Sequence, residues 1–329
     1  MKAFELYNPK TVAEAVKLLP AREGDDSARL LAGGQDLLTE MKEHLVEPER
    51  VVNLKHVPGL DKIELAADGS LALGALVTVQ EIADDASVRE RAALLAEAAG
   101  SVGSPQIRAM GTLGGNLNQR PRCWYYRSEH APCLKKGGTE CFSYEGKNKY
   151  NAILGGGPSY IVHPSDLAPA LVALGAEVTL VGPGGERQVA LEHYYTLPAA
   201  GDVLRETILA PNEVLTRVRV PAPEPGMRST YLKFQERGSY DFALSAVALC
   251  LWLDGAKIQR ARLVLGGVAP TPWRCASTEA LLAGRSIDAE TCQAAGAEAL
   301  KAAQPLSENG FKVPLTKGLI TRALKKLSA

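Results

Sequence analysis

A chain of 329 residues can hold two or three compact units and a sizeable buried core. Its apolar share of 46% and charged share of 22% are ordinary for a soluble globular protein. With 37 basic against 37 acidic residues the formal charge is zero, which argues against a polyanion-binding surface, so no nucleic-acid partner is expected.

In chain order, the opening segment MKAFELYNPKTVAEA has no apolar run of the signal-peptide kind, so no export signal of its own is expected. Thr11 caps a predicted helix through Leu19, with Val12, Ala15, Val16 and Leu19 on one face. A strand is read over 29–32, then a Gly33-Gly34 turn, a helix from about Asp36 to His44 and a strand over 51–54. Strands are expected at 62–65 and 71–76, and the Ala- and Leu-rich run Val88 to Ala99 favours a helix. Residues 118–160 break the pattern: they are polar, aromatic and glycine-rich, with no clear period. A loop of that length inside a compact domain is either functional or disordered. Order returns with a helix over 166–174, a hairpin of 177–181 with 187–191, and a strand over 214–220. After a linker at 221–225 come strands at 230–235, 243–253 and 258–265, then helices near 277–283, 288–303 and 315–327, the pattern of a sheet covered by helices. The longest apolar run, Ala243 to Leu253, is shorter than the ~20 residues a membrane crossing needs, so no membrane insertion is expected.

Two glycine-rich turns stand out. One reads Leu30-Leu31-Ala32-Gly33-Gly34-Gln35-Asp36-Leu37-Leu38; the other reads Arg108-Ala109-Met110-Gly111-Thr112-Leu113-Gly114-Gly115-Asn116-Leu117. Without a Cβ, the backbone can approach a ligand closely and aim several N–H groups at one point, which suits phosphate oxygens. Two such nests would clamp a diphosphate from both sides, with Thr112 and Asn116 adding hydrogen bonds. The competing reading is a pair of tight connections with no ligand. Neither turn follows the dinucleotide-fold or phosphate-loop fingerprint.

Cysteines fall into two groups. Cys250, Cys275 and Cys292 are scattered, as buried free thiols are. Cys123, Cys133 and Cys141 cluster in the polar loop, where thiolates close together suit an iron–sulfur cluster or zinc. Their spacing matches neither a ferredoxin run nor a zinc ribbon, so unpaired surface thiols remain the alternative. His130, His163 and His193 are read as structural or surface residues.

The pair AGGQDLL and GTLGGNL resembles the FAD diphosphate-binding segments of the flavin-binding medium subunits of xanthine dehydrogenase-type molybdenum hydroxylases. The likeness spans the chain, through Phe4 to Pro9, His163 to Ala168, Glu213 to Pro221, Lys233, Arg237, Asp241 to Ala243 and Leu265 to Pro270. It implies an α+β fold: a two-subdomain FAD-binding domain of the vanillyl-alcohol-oxidase type, then a carbon monoxide dehydrogenase flavoprotein-like C-terminal domain of sheet plus helices. The first would occupy residues 1–221, with subdomains at about 1–56 and 57–221 and the loop at 118–160; the second would occupy 226–329.

By the same resemblance, Ala32, Gly33, Gly34, Gln35, Asp36 and Leu37, with Gly111, Thr112, Gly114, Gly115 and Asn116, would hold the FAD diphosphate. Asp166 would contact the ribityl or adenosine portion and Lys233 would lie near the flavin ring. The residues alone leave Asp166 open as a carboxylate supporting its own helix. The wording around Cys123, Cys133, Cys141 and Tyr150 to Gly156 resembles an insertion in bacterial aldehyde oxidoreductase flavin subunits, with a related form in 4-hydroxybenzoyl-CoA reductase. There four cysteines hold an extra [4Fe-4S] cluster. Here Ser159 stands at the fourth position, so a cluster with an unusual fourth ligand, a [3Fe-4S] cluster or none would follow.

The resemblance implies an oxidoreductase subunit with no catalytic acid or base of its own. A large partner would carry the molybdenum cofactor and a small partner [2Fe-2S] clusters. FAD accepts electrons singly and releases them in pairs, so this chain would pass them to an external acceptor. Such complexes are cytoplasmic, or periplasmic when a partner carries the export signal. Three rivals stand beside this reading: a 4-hydroxybenzoyl-CoA reductase-like subunit, a self-contained flavin oxidoreductase, and a non-catalytic scaffold.

Overall fold

Thr11 does what its position requires: its Oγ1 accepts the Glu14 amide at 3.1 Å and opens the first helix. The computed structural model describes residues 1–22 and 24–328. The first unit runs β1 (Glu5–Tyr7), α1 (Val12–Lys17), β2 (Ala28–Leu31), α2 (Leu37–Lys42) and β3 (Arg50–Asn53). Its sheet is parallel in the order β1-β3-β2, so α1 and α2 supply the crossovers that parallel pairing demands. The Gly33-Gly34 turn is the junction between β2 and α2.

The second unit holds β4 (Ile63–Leu65), β5 (Leu71–Gly74), α3 (Val79–Asp84), α4 (Ala86–Arg91), α5 (Ala93–Gly100), α6 (Pro105–Met110), α7 (Leu113–Leu117), α8 (Leu167–Ala173), β6 (Glu177–Gly182), β7 (Gly185–Ala190) and β8 (Val214–Val220). Five antiparallel strands form its sheet, in the order β4-β5-β8-β6-β7. The helix expected over 88–99 is two helices, α4 and α5, because Ala92 leaves helical geometry at φ −139° and ψ 51°. No glycine or proline marks that break. The second glycine motif also departs from the expectation of a bare turn: Thr112 caps the short helix α7.

The third unit follows with β9 (Met227–Phe234), β10 (Ser245–Asp254), β11 (Lys257–Gly266), β12 (Trp273–Arg274), α9 (Ala276–Leu282), α10 (Ala289–Ala299) and α11 (Lys312–Ser328). The sheet order is β12-β11-β10-β9, all antiparallel. Strand β10 is buried on both faces, and its alternation divides two cores. Ala246, Ala248, Cys250 and Trp252 pack with the core of the second unit. Val247, Leu249 and Leu251 pack with Leu319, Ile320 and Leu324 of α11. A buried Val or Leu contributes roughly 1.5–3 kcal/mol, so this shared strand fixes the two units against each other.

The 118–160 loop is built in. Its one regular element among the described residues is a 3-10 turn at Leu134–Lys136. Ile153 and Leu154 enter the third unit's core. Lys312 at the start of α11, fully buried, donates to the carbonyls of Tyr150, Asn151 and Gly267 at 3.0, 3.0 and 2.8 Å. Asn309 Nδ2 reaches the Asn151 and Ala152 carbonyls at 3.2 and 3.3 Å, and Asn148 bonds to Ser307 and Glu308. Charge and carbonyl contacts thus hold a segment that hydrophobic periodicity cannot announce. Among the described residues no helix is long and apolar enough to cross a membrane.

Candidate functional site

The two glycine turns lie against each other. A Cβ on Gly33 would come within 2.1 Å of the Met110 carbonyl oxygen, which leads into the second turn, so only glycine fits there. Gly34 sits at φ +75°, a left-handed conformation that side chains disfavour. The first internal bond of α2 is Leu38 N to Gly34 O at 3.1 Å; the amides of Gly34, Gln35 and Asp36 donate to no acceptor among the described residues. Ala32 is half-buried beneath them in the first unit's core.

The second turn is spent on the fold. Leu113 N donates to Val77 O and Gly114 N to Ala75 O, both at 2.8 Å, while Gly111 O accepts Val79 N at 2.8 Å. Gly115 N is capped by Thr112 Oγ1 at 3.2 Å and Asn116 N bonds Thr112 O at 2.8 Å. The second turn is thus a capped helix start whose amides from Leu113 to Asn116 are bonded internally, to the β5–α3 connection and to Thr112. Thr112 is an acceptor there, and Asn116 Oδ1 accepts Ser165 Oγ at 2.5 Å. The Asn116 Nδ2 group donates to no acceptor among the described residues.

Asp36 is tied to the polar loop. Its Oδ2 accepts the Arg120 amide at 2.6 Å, and its Oδ1 meets Arg127 Nη2 at 2.7 Å and Arg122 Nη2 at 2.9 Å. Four residues on, Glu40 Oε1 accepts the Tyr126 hydroxyl at 2.8 Å, and burial followed by the Asp36 charge pushes the Glu40 carboxyl up. Arg120 bonds Tyr126, the Leu204 carbonyl and Glu206, while the buried Lys135 ammonium reaches Glu206 at 2.7 Å. Sequence reasoning missed this network; a run of three arginines flanking Cys123 was its visible signal.

Asp166 and Lys233 meet each other. They form a buried ion pair at 2.8 Å, 5% and 4% exposed, across the junction of the second and third units. Lys233 Nζ also donates to Ser101 O at 3.0 Å, and Tyr231 donates its hydroxyl to Asp166 Oδ1 at 2.8 Å. Burial, then Asp166, pushes the Tyr231 hydroxyl pKa far up. Beside them His163, 4% exposed, packs edge-on against Tyr195 with ring centroids 4.6 Å apart, and burial pushes its imidazole down to about 4. The side chains of His130 and His193 are largely exposed.

All six cysteines are free, and Cys250, Cys275 and Cys292 are buried in the third unit's sheet and helices. Cys123 Sγ accepts Asn151 Nδ2 at 3.7 Å, Cys141 Sγ lies 3.1 Å from Ser143 Oγ, and Cys133 is buried. Ser159 is 1% exposed. Among the described residues no group of three or more His, Cys, Asp or Glu side chains is placed to hold a metal ion. The geometry therefore does not supply the ligand set that a cluster requires.

For a dinucleotide the donor chemistry fits. The first turn has open amides, and its Asp36 side chain holds Arg122 and Arg127, whose Nε and Nη1 respectively are buried and without an acceptor. Anionic oxygens satisfy such groups.

Comparison with known proteins agrees. The FAD binding domain in molybdopterin dehydrogenase matches residues 2–223, and the CO dehydrogenase flavoprotein C-terminal domain matches 229–327. The aldehyde oxidoreductase FAD-binding subunit PaoB of Escherichia coli K12 is 35% identical, covering 100% of this chain and 99% of its own length. The carbon monoxide dehydrogenase medium chain of Hydrogenophaga pseudoflava is 30% identical over 98% of this chain and 96% of its own. Among solved structures, reconstituted CO dehydrogenase from Oligotropha carboxidovorans superimposes with a TM-score of 0.78 at 27% identity, covering 99% of this chain and 98% of that one. The expected α+β fold, with an FAD-binding domain followed by a CO dehydrogenase flavoprotein-type domain, is thus the observed one. The chain belongs to the FAD-binding subunits of the molybdenum hydroxylases.

Proposed function

We propose that this chain is the electron-relay subunit of an aldehyde-oxidising molybdenum hydroxylase. Electrons would arrive from a small partner with [2Fe-2S] clusters, fed by a large partner with the molybdenum cofactor, and leave to an external acceptor. The observation that carries the aldehyde reading is 35% identity over essentially both full lengths with an aldehyde oxidoreductase FAD-binding subunit. When bound, FAD supplies the change from single-electron acceptance to paired release.

The chain's own share is binding and positioning. Gly33 to Leu37 form the ligand-facing turn, with Gly111 to Asn116 packed behind it. The Asp166–Lys233 pair holds the third unit against the FAD-binding domain, and in this reading it sets the width of the flavin pocket instead of touching the ribityl chain or the ring. Buried His163 is held neutral at physiological pH.

An iron–sulfur cluster in the cysteine loop is the part of this reading that has no geometric support. Its test is flavin and iron content of the anaerobically purified complex with low-temperature EPR. Flavin equimolar with the chain supports the relay. Iron beyond that of the [2Fe-2S] partner, lost on Cys133→Ala, would add the cluster; no surplus leaves the three cysteines as loop packing. Absence of flavin would overturn the relay.

A further inference from the structure

A diphosphate needs positive charge, and the second glycine turn has little to give. Its amides at Leu113, Gly114, Gly115 and Asn116 are already taken by Val77 O, Ala75 O, Thr112 Oγ1 and Thr112 O. The first turn offers open amides but no formal charge, and its one ionisable side chain, Asp36, is an acid. Among the described residues, the guanidinium groups that meet Asp36 come from the polar loop. Arg122 and Arg127 each give one Nη2 to Asp36 Oδ1, at 2.9 and 2.7 Å. Each also keeps a buried N–H with no acceptor, Arg122 Nε and Arg127 Nη1.

The neighbouring acids do not fill that need. Asp36 Oδ2 is occupied by the Arg120 amide at 2.6 Å. Glu40 Oε1 accepts Tyr126 at 2.8 Å and stands 4.0 Å from Arg127 Nη1, outside hydrogen-bond range. Glu43 also acts on the Arg122 guanidinium electrostatically, yet its own buried Oε2 has no hydrogen-bond partner, so the two arginine N–H groups keep no acceptor. A buried charged donor without an acceptor is strongly disfavoured, so the two N–H groups call for an acceptor that the described hydrogen bonds do not supply. The planar fork of arginine suits phosphate oxygens.

We propose that Arg122 and Arg127, held in place by Asp36, form the cationic side of the FAD diphosphate site, next to the open amides of Gly34, Gln35 and Asp36. The inference rests on FAD being the ligand of the first turn. It gives the polar loop a task independent of any metal: to deliver two arginines, one of them adjacent to Cys123, to the flavin nucleotide. Asp36 then serves as the positioning residue that orients both.

The test uses the intact multi-subunit complex, stripped of flavin and titrated with FAD and, separately, with riboflavin, which has no phosphate. Arg122→Met and Arg127→Met are each expected to weaken FAD by about tenfold or more and to reduce the salt dependence of its binding, leaving riboflavin binding unchanged. Arg122→Lys keeps the charge and should recover part of the loss. Asp36→Asn keeps an acceptor and removes a charge that opposes the diphosphate, so it should weaken FAD far less than either methionine variant. Were the arginines only braces for the loop, Asp36→Asn would cost as much as Arg127→Met and riboflavin would weaken in parallel, which overturns the proposal. If Arg127→Met does not fold, Arg122→Met carries the test, since that side chain is 28% exposed. A wild-type complex that binds neither FAD nor riboflavin would instead remove the FAD assignment beneath it.

Discussion

In the first glycine turn the amides of Gly34, Gln35 and Asp36 have no internal acceptor; in the second, four successive amides from Leu113 to Asn116 are all taken by the fold. The letters of the two turns are nearly the same. What separates them is the chain on either side. The first follows a parallel strand and leads into α2 with its amides unpaired, whereas the second is laid across the carbonyls of Ala75 and Val77 and starts a capped helix. Glycine leaves amides open in one place and allows close packing in the other: a Cβ on Gly114 would come within 2.9 Å of Ala75 Cβ and 3.0 Å of its oxygen.

That contrast can be broken most severely through the scaffold behind the second turn. Ser165 holds Asn116, and its neighbour Asp166 is buried against Lys233. Lys233→Ala leaves that carboxylate unpaired and should cost about 3–5 kcal/mol in chemical denaturation. A loss below 1 kcal/mol, on the scale of an exposed pair, would refute the interdomain lock.

Protonation of His163 comes next. Its folded pKa of about 4 lies below the ordinary 6.5, so the folded state binds fewer protons between those values. Stability is therefore full above pH 6.5 and is lost as pH falls through the window, by about 3 kcal/mol in all. His163→Gln should flatten that slope; an unchanged acid limb in the pH dependence of unfolding would contradict the assignment.

Gly33→Ala is smaller for the fold, about 1–3 kcal/mol of overpacking against Met110, yet should strip flavin from the complex. Flavin retained at wild-type affinity would mean the first turn does not face the ligand. The mildest change is Thr112→Ala, which removes the helix cap for about 1 kcal/mol and sharpens the comparison if flavin affinity stays unchanged while the melting temperature drops.

Local signals made much of this legible. The Thr11 cap, the 177–191 hairpin, the strand at Val214–Val220 and the β9–β11 sheet each announce themselves by a cap, a turn or a period. Two helices beyond the sequence reading also had signals: Thr78 with Glu81 forms a capping box, and Ser104-Pro105 opens α6. The state of the second turn's amides was not readable, because it depends on carbonyls far upstream in the chain, Ala75 and Val77. The Arg127–Asp36 contact spans 91 positions and Lys312 reaches the loop across 161 and 162. Such pairings of polar atoms follow from the assembled fold and leave no periodic trace.

The most direct test of the central claim is anaerobic addition of an aldehyde to the purified complex while the flavin absorbance is followed. The relay account expects the flavin to bleach when the molybdenum and [2Fe-2S] partners are present and to stay oxidised in the isolated flavin-loaded chain. Bleaching of the isolated chain, or a complex that oxidises aldehyde while its flavin remains oxidised, would contradict it.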